Sequence, residues 1–376
     1  MSGNGKPRAR PYSAKGFKTN IYGNMPLINT ISERLRNHPK RIVFPEGSDP
    51  RILQAARRIV NNQLGVPLLL GDRSRIKERA EALNINLEGM RLIEPARSGD
   101  FPEFVEKLQS LERFRDLDRE EAEAKVKDPA YFASLMVFNG NASGIVSGAT
   151  LTASSALRPM LQVLPFQRGV STISSLQMLD FEELGSGSDT VLFLADCAVI
   201  PYPTPDQLAD IAINTGLLAY HLTNRPPRIA MLSYTSKAES GRDPLVDKMK
   251  AATALARERA QGQSVSMEID GELQVDAALE LHTARAKDVD GPVAGKANVL
   301  VFPDLQSANI ASKIAQVLTG VRTYGSILTG FAYPAAEISR GASAHDLFGT
   351  AVMVGAQAID HKLLHLAGHA DSPEAE

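Results

Sequence analysis

Residues 338–347, ISRGASAHDL, bring a serine, an arginine and an aspartate within reach of one another just before the last long apolar run. Such a set can stabilise an oxyanion, hold a phosphate and take a proton. The stretch from Ser343 to Asp346 also fits S-x-x-D, the box that ties up free N–H groups at a helix start. The local pattern alone favours the capping role. A second constellation runs from Gly148 through Ser154 and Ser155 to Arg158 and Pro159, after the strand-like GIVS. Hydroxyls and free N–H groups at a helix N-terminus make an anion site, and an arginine one turn on can fork onto phosphate oxygens. A capped surface helix with a solvated arginine fits the same residues. Asp304 to Asn309 reads as a strand-to-helix turn that fixes backbone geometry. Cys197 reads as a small buried hydrophobe and not as a nucleophile. There is no G-x-x-x-x-G-K-[ST], no G-x-G-x-x-G after a strand and no G-x-S-x-G elbow.

The elements that must position these residues alternate. The runs RIVF, VPLLL, GIVSG, TVLFL, RIAMLS and NVLVF read as strands. Helical periodicity is clearest in 50–63, 103–127, 205–222, 244–260, 307–319 and 346–365. This alternation predicts an α/β fold of βαβ units with a mainly parallel sheet covered on both faces. Ligands of such sheets bind beyond the carboxyl ends of strands, which points to FPEGSDPR, VSGATLTASSALRP, LADCAVIPYPTPDQLAD, LSYTSK and FPDLQSANI. The polar segments 181–190 and 71–75 read as loops, and either is a place for an insertion.

The chain has 376 residues, 43% apolar and 22% charged. A length above roughly 250–300 residues favours two cores and therefore a cleft. A formal net charge of −2 argues against a surface devoted to nucleic acid, so phosphate binding must be local. One cysteine excludes an intrachain disulfide, and with no C-x-x-C a cysteine-based structural zinc site is not suggested. No apolar run approaches the roughly 18 residues of a membrane span. A reducing cytoplasm is the default expectation. The first 27 residues carry five Lys or Arg and no acid, without the apolar middle of a secretory signal. Residues 1–29 are read as a disordered basic arm and 367–376 as a tail.

Taken in order, IVFPEGSDPR, GIVSGA with ALRP, FLADCAVIPYPTPDQLADIAI, ELQVDAAL, VAGKANVLVFPDL, YGSILTGFA and ISRG resemble the phosphate acetyltransferase family. The resemblance spans about 42 to 350. It implies a homodimer of two α/β/α lobes with an interlobe cleft, similar to the isocitrate and isopropylmalate dehydrogenases. Lobe I is discontinuous, 30–168 plus 326–366, and lobe II is 169–325. It also implies reversible acetyl transfer between acetyl phosphate and coenzyme A in a ternary complex. Coenzyme A enters as a substrate, with no cofactor tightly bound. By position, Ser339 and Arg340 carry the family's S-R-G, Asp346 its general base, and Arg158 the phosphate-binding arginine of L-R-P. Tyr324 and Gly330, with Ser339 and Arg340, fall on the coenzyme A site. A second phosphate-binding arginine aligns with Arg113 or Arg115, although strict alignment puts Glu112 there.

The roles implied are chemically coherent. A thiol with a pKa of roughly 8.5 must lose its proton before it attacks, and Asp346 would take it. Ser339 then donates to the developing oxyanion while arginines hold the leaving phosphate. A helix N-terminus favours an ionised Asp346 and weakens it as a base, and desolvation in the cleft is expected to offset this in part. The chain departs from the family at Leu151 to Ala153, Ala336 to Glu337, Ser326 and Ala342, where the family carries other polar groups or a proline. These departures permit a longer acyl group, as in phosphate butyryltransferases. Similar domains also bind acetyl-CoA as regulatory parts of some malic enzymes, a non-enzymatic alternative. A nicotinamide-dependent dehydrogenase has no fingerprint to support it.

Overall fold

The computed structural model describes residues 26–181, 191–237, 241 and 243–359. Residues 1–25, most of the 181–190 segment and the 367–376 tail lie outside the described residues. The strands formed are β1 (Lys40–Phe44), β2 (Gly65–Leu70), β3 (Arg91–Ile93), β4 (Gly144–Ser147), β5 (Ser174–Asp180), β6 (Val191–Ala195), β7 (Arg228–Leu232), β8 (Glu268–Leu273), β9 (Val299–Val301), β10 (Arg322–Thr329) and β11 (Ala335–Glu337). All eleven join one sheet in the order β3-β2-β1-β4-β11-β10-β5-β6-β9-β7-β8.

The sheet has two parallel halves. Strands β3, β2, β1, β4 and β11 run parallel to one another, as do β6, β9, β7 and β8. Between them, β10 pairs antiparallel with both β11 and β5, and β5 antiparallel with β6. The halves are thus continuous through an antiparallel centre. Strands with apolar runs are sealed on both faces: every residue of β4, β6 and β9 is buried. Each fully buried Val, Leu or Ile contributes roughly 1.5–3 kcal/mol. One apolar core spans the two halves, and each half carries a further core of its own.

Helix starts follow their caps. Asp49 accepts from the Arg51 N–H ahead of Pro50–Asn61, with proline at the first position. Thr204 and Gln207 form a full capping box on Pro205–Thr223, as do Ser343 and Asp346 on Ala344–Gln357. The periodic stretch 103–127 is not one helix. It divides into Phe101–Ser110, a 3-10 turn at Glu112–Phe114 and Arg119–Lys127, because Asp118 and Glu121 build a new capping box inside it. The segment read as a loop at 71–75 begins the helix Arg73–Ala82, capped by Asp72. A helix also starts at Pro26, inside the stretch read as a basic arm, and buries Ile28, Ile31 and Leu35.

The helix Ala344–Gln357 packs on β10 through a close approach. A Cβ at Gly349 would stand 2.2 Å from Cε1 and 2.3 Å from Cδ1 of Tyr324, whose ring is fully buried. Gly349→Ala is therefore expected to destabilise the fold by about 1–3 kcal/mol by overpacking. At an unconstrained helix position the same change would stabilise by up to about 1 kcal/mol. Chemical denaturation measures the sign, and a stabilised variant would contradict the packing.

Candidate active site

A cavity of about 720 Å³ opens between the two halves of the sheet. One wall carries Leu151, Ala153, Glu337, Ser339, Arg340 and Asp346, and the other carries Cys197, Tyr202, Asn309 and Lys313. Gln177 of β5 and Thr323, Gly325 and Ser326 of β10 complete the lining. Three of the five segments beyond strand ends reach this cavity: those containing Leu151, Cys197 and Asn309. FPEGSDPR lines a second cavity of about 460 Å³ instead, and Leu151 borders both. Lys237, in the LSYTSK segment, forms an ion pair with Asp270 at 2.5 Å.

One side chain draws the loops after β1, β4 and β11 together. The Arg51 guanidinium donates to both Asp49 carboxylate oxygens at 3.0 and 2.9 Å, to Ala149 O at 2.6 Å, and to Arg340 O and Ala342 O at 2.6 and 2.9 Å. The approach is close enough to demand glycine at 148. Its φ is +120°, and a Cβ there would lie 2.3 Å from Ile338 O.

Ser339, Arg340 and Asp346 all line the cavity. Ser339 and Arg340 are exposed, and the Gly341 N–H donates to Ser339 Oγ at 3.3 Å. Asp346 is half-buried and serves the capping box: its Oδ2 accepts from Ser343 N and Ser343 Oγ, each at 2.8 Å. The first turn of that helix is held by His345, whose Nδ1 accepts from Arg58 at 3.0 Å. A guanidinium only donates, so Nε2 carries the proton and faces Tyr324 Oη at 3.2 Å. Burial, then the nearby Arg58, holds the imidazole below its ordinary pKa and so neutral.

The other residues singled out lie elsewhere. Tyr324 is fully buried behind the cavity wall against Gly349, while its neighbours Thr323 and Gly325 face the cavity. Strand alternation explains this placement: side chains in succession point to opposite faces. Gly330 sits at the far end of β10. Its φ of +89° and the Thr172 O only 2.4 Å from a would-be Cβ give it a backbone role. Arg158 and Arg113 are exposed and outside the cavity lining, yet both act electrostatically on the Tyr131 hydroxyl, which donates to Gln162 at 2.5 Å. Arg115 is engaged with Glu112 at 2.8 Å. Of the two arginines left open, Arg113 is the one that shares a neighbour with Arg158. Cys197 is buried, and burial pushes its thiol far up.

Sequence reasoning missed two glutamates. Glu337, at the end of β11, is 7% exposed, lines the cavity and has a pKa pushed up to about 7. Desolvation is the main cause; Lys313 lowers the value and Glu46 raises it. Glu46 accepts from the Gly148 N–H at 2.8 Å, while its Oε2 is buried with no partner. Burial raises its pKa as well. The signal was the acidic residue after each of two strands, and only the fold shows that they meet.

Fold and site together define an α/β protein with an interlobe cleft equipped for acid–base work on an anion. The match to the family described as Phosphate acetyl/butaryl transferase covers residues 26–355, so the chain belongs to that family. A phosphate acetyltransferase of Clostridium acetobutylicum is 37% identical over 334 residues, 89% of this chain and 99% of that protein. A phosphotransacetylase structure from Streptococcus pyogenes is 36% identical, with a TM-score of 0.79 over 89% of this chain and 98% of the other. One from Staphylococcus aureus is 32% identical, with a TM-score of 0.78 and the same coverage.

Two outcomes follow from the geometry. An unfolded chain ionises Glu337 as pH rises past the ordinary 4.5, and the folded chain only past about 7. Its acid form therefore stabilises the fold below 4.5, and that contribution is lost as pH rises through 7. Glu337→Gln should gain on wild type by on the order of 2–3 kcal/mol between about pH 4 and pH 8, read from melting curves across pH. Arg51→Lys keeps the charge but not the fork, and should lower both kcat and melting temperature because three carbonyls lose their donor. Unchanged kinetics in Arg51→Lys would remove its positioning role.

Proposed function

We propose that the chain is a phosphate acetyltransferase, interconverting acetyl-CoA plus phosphate with acetyl phosphate plus coenzyme A. The observation that carries this is the convergence of Ser339, Arg340 and Asp346 on one interlobe cavity, in a member of the family. In the reading offered, Asp346 takes the thiol proton and the coenzyme A thiolate attacks acetyl phosphate directly in a ternary complex. Ser339 donates to the carbonyl oxygen as charge grows there, and Arg340 holds the phosphate. Arg158 and Arg113 are the flanking basic pair that receives phosphate from solvent. Coenzyme A is a substrate and no resident cofactor is invoked.

A longer acyl group is the second reading, favoured by the apolar Leu151 and Ala153 in the lining. The proposal also takes 30–168 with 326–366 and 169–325 as the two lobes, a homodimer as the working form and the cytoplasm as its location. A dimer would cover Ile310, Ile314, Val317 and Leu318, all exposed on the helix Leu305–Thr319. Among the described residues no helix is long and apolar enough to cross a membrane.

Purified protein given coenzyme A and acetyl, propionyl or butyryl phosphate should produce thioester absorbance, and the ratio of rates sets the acyl preference. Asp346→Asn is expected to lower kcat by about 10²-fold or more, and Arg158→Ala to raise the KM for the acyl phosphate. No absorbance change with any of the three donors would sink the reading.

A further inference from the structure

Glu46 and Glu337 flank the same glycine. Glu46 Oε1 accepts from the Gly148 N–H at 2.8 Å, and Glu337 Oε1 lies 3.3 Å from where a Gly148 Cβ would stand. Glu46 Oε2 has no partner, and Ser147, the partner of Glu337 across the β4–β11 ladder, has a buried Oγ that is likewise unpartnered. Burial opposes ionisation of Glu337, and the like charge of Glu46 adds to that effect. Asp346, by contrast, spends Oδ2 on Ser343.

Thiolate attack on acetyl phosphate dianion expels a phosphate trianion unless a proton arrives as the C–O bond breaks. We propose that Glu337, on the cavity wall beside the Gly148 turn that Glu46 also contacts, is a second catalytic group of the cleft that protonates the departing phosphate oxygen. This rests on the acyl-transfer reading. The thiol proton passes to Asp346, and the S–C bond forms. The C–O bond breaks with its electron pair on the bridging oxygen, and the Glu337 proton joins that oxygen to give hydrogen phosphate. The proton on Asp346 then returns to Glu337 through cleft water, restoring both groups. In reverse, Glu337 takes the proton from attacking hydrogen phosphate.

The groups facing Glu337 set its charge state. Lys313 faces it across the cavity from the helix Leu305–Thr319, and Glu46 from the loop after β1. Strand β4 presents Ser147 and β10 presents Ser326, neither of which titrates. Arg340 and Asp346 line the same cavity further along the chain. Burial raises the carboxyl to about 7, where a group both gives and takes a proton near neutral pH.

The test compares wild type with Glu337→Gln, Glu337→Asp and Glu46→Gln in both directions between about pH 5 and pH 9. Glu337→Gln should lose about 10²-fold in kcat, with KM for acetyl phosphate and coenzyme A within about 3-fold, and lose the pH arm near neutrality. Glu337→Asp should keep a pH arm. Glu46→Gln should move that arm to lower pH, because a like charge is gone. Infrared spectra at about pH 6 give a readout independent of turnover: a buried protonated carboxyl band in wild type, absent from Glu337→Gln. An active wild type whose Glu337→Gln variant keeps its rate and pH profile would overturn the proposal, as would absence of the band. A wild type without turnover on any short acyl phosphate overturns the acyl-transfer reading, and the role in transfer with it, even if the band is present.

Discussion

The site depends on the five donors of one guanidinium. Arg51 stands at the start of the helix after β1 and reaches carbonyls 98, 289 and 291 residues further along the chain. The strands whose loops it joins, β1, β4 and β11, are neighbours in the sheet, so their carboxyl ends already lie side by side. Proximity alone leaves the carbonyls of Ala149, Arg340 and Ala342 turned into a crowded corner and in need of donors. Asp49 orients the guanidinium from both carboxylate oxygens while also capping the helix that carries it. Buried ion pairs contribute little net stability. Their contribution here is position: the turn bearing Ser339 and Arg340 is held by its own backbone, which leaves those side chains free.

The antiparallel centre of the sheet does the complementary work. Without β10 and β5 the two parallel halves would be separate layers with no fixed relation. Pairing them into one ladder sets the wall carrying Ser339 and Asp346 opposite the wall carrying Asn309 and Lys313. The cavity is therefore a consequence of sheet order. Its floor is strand, with Gln177 and Thr323 on paired backbone and Ser326 in the irregularity between Tyr324 and Ile327.

How legible this was depended on whether local chemistry or a distant partner decided each element. Strands β1, β2, β4, β6, β7 and β9 are apolar runs buried over most or all of their length, and they declare themselves. Strand β10, RTYGSILT, carries glycine, serine and threonine and is not among the apolar runs; it is a strand because β5 and β11 pair with it. Strand β8, EIDGEL, looks too charged, but its buried Asp270 is answered by Lys237 and Arg257. The helix Pro129–Phe138 is buried nearly all round and offers no periodicity to detect. At the site, Ser339, Arg340 and Asp346 were legible because they are close in sequence. Tyr324 lies in β10 with its ring turned from the cavity, and Gly330 lies just past that strand's end. Glu46 and Glu337 acquire their significance only where β1, β4 and β11 end together.

In the proposed reaction capping and catalysis meet at Asp346, and their magnitudes show how one residue would serve both. The capping box contributes on the order of 1 kcal/mol, and part of it survives rotation of the carboxylate, because Ser343 Oγ still accepts from the Asp346 N–H at 3.2 Å. General base catalysis contributes about 10²-fold or more, roughly 3 kcal/mol. Giving up the Ser343 contact thus costs less than the barrier lowering that base catalysis would supply. In the free protein the box holds the carboxylate against the turn, in a position fixed by His345, Arg58 and Tyr324 behind it. Glu337 caps no helix and answers to burial, Lys313 and Glu46. One carboxylate is kept at a helix start, where charge is favoured, and the other at a strand end, where it is opposed. In the proposed reaction that difference in surroundings supplies one cleft with both a proton acceptor and a proton donor at the same pH.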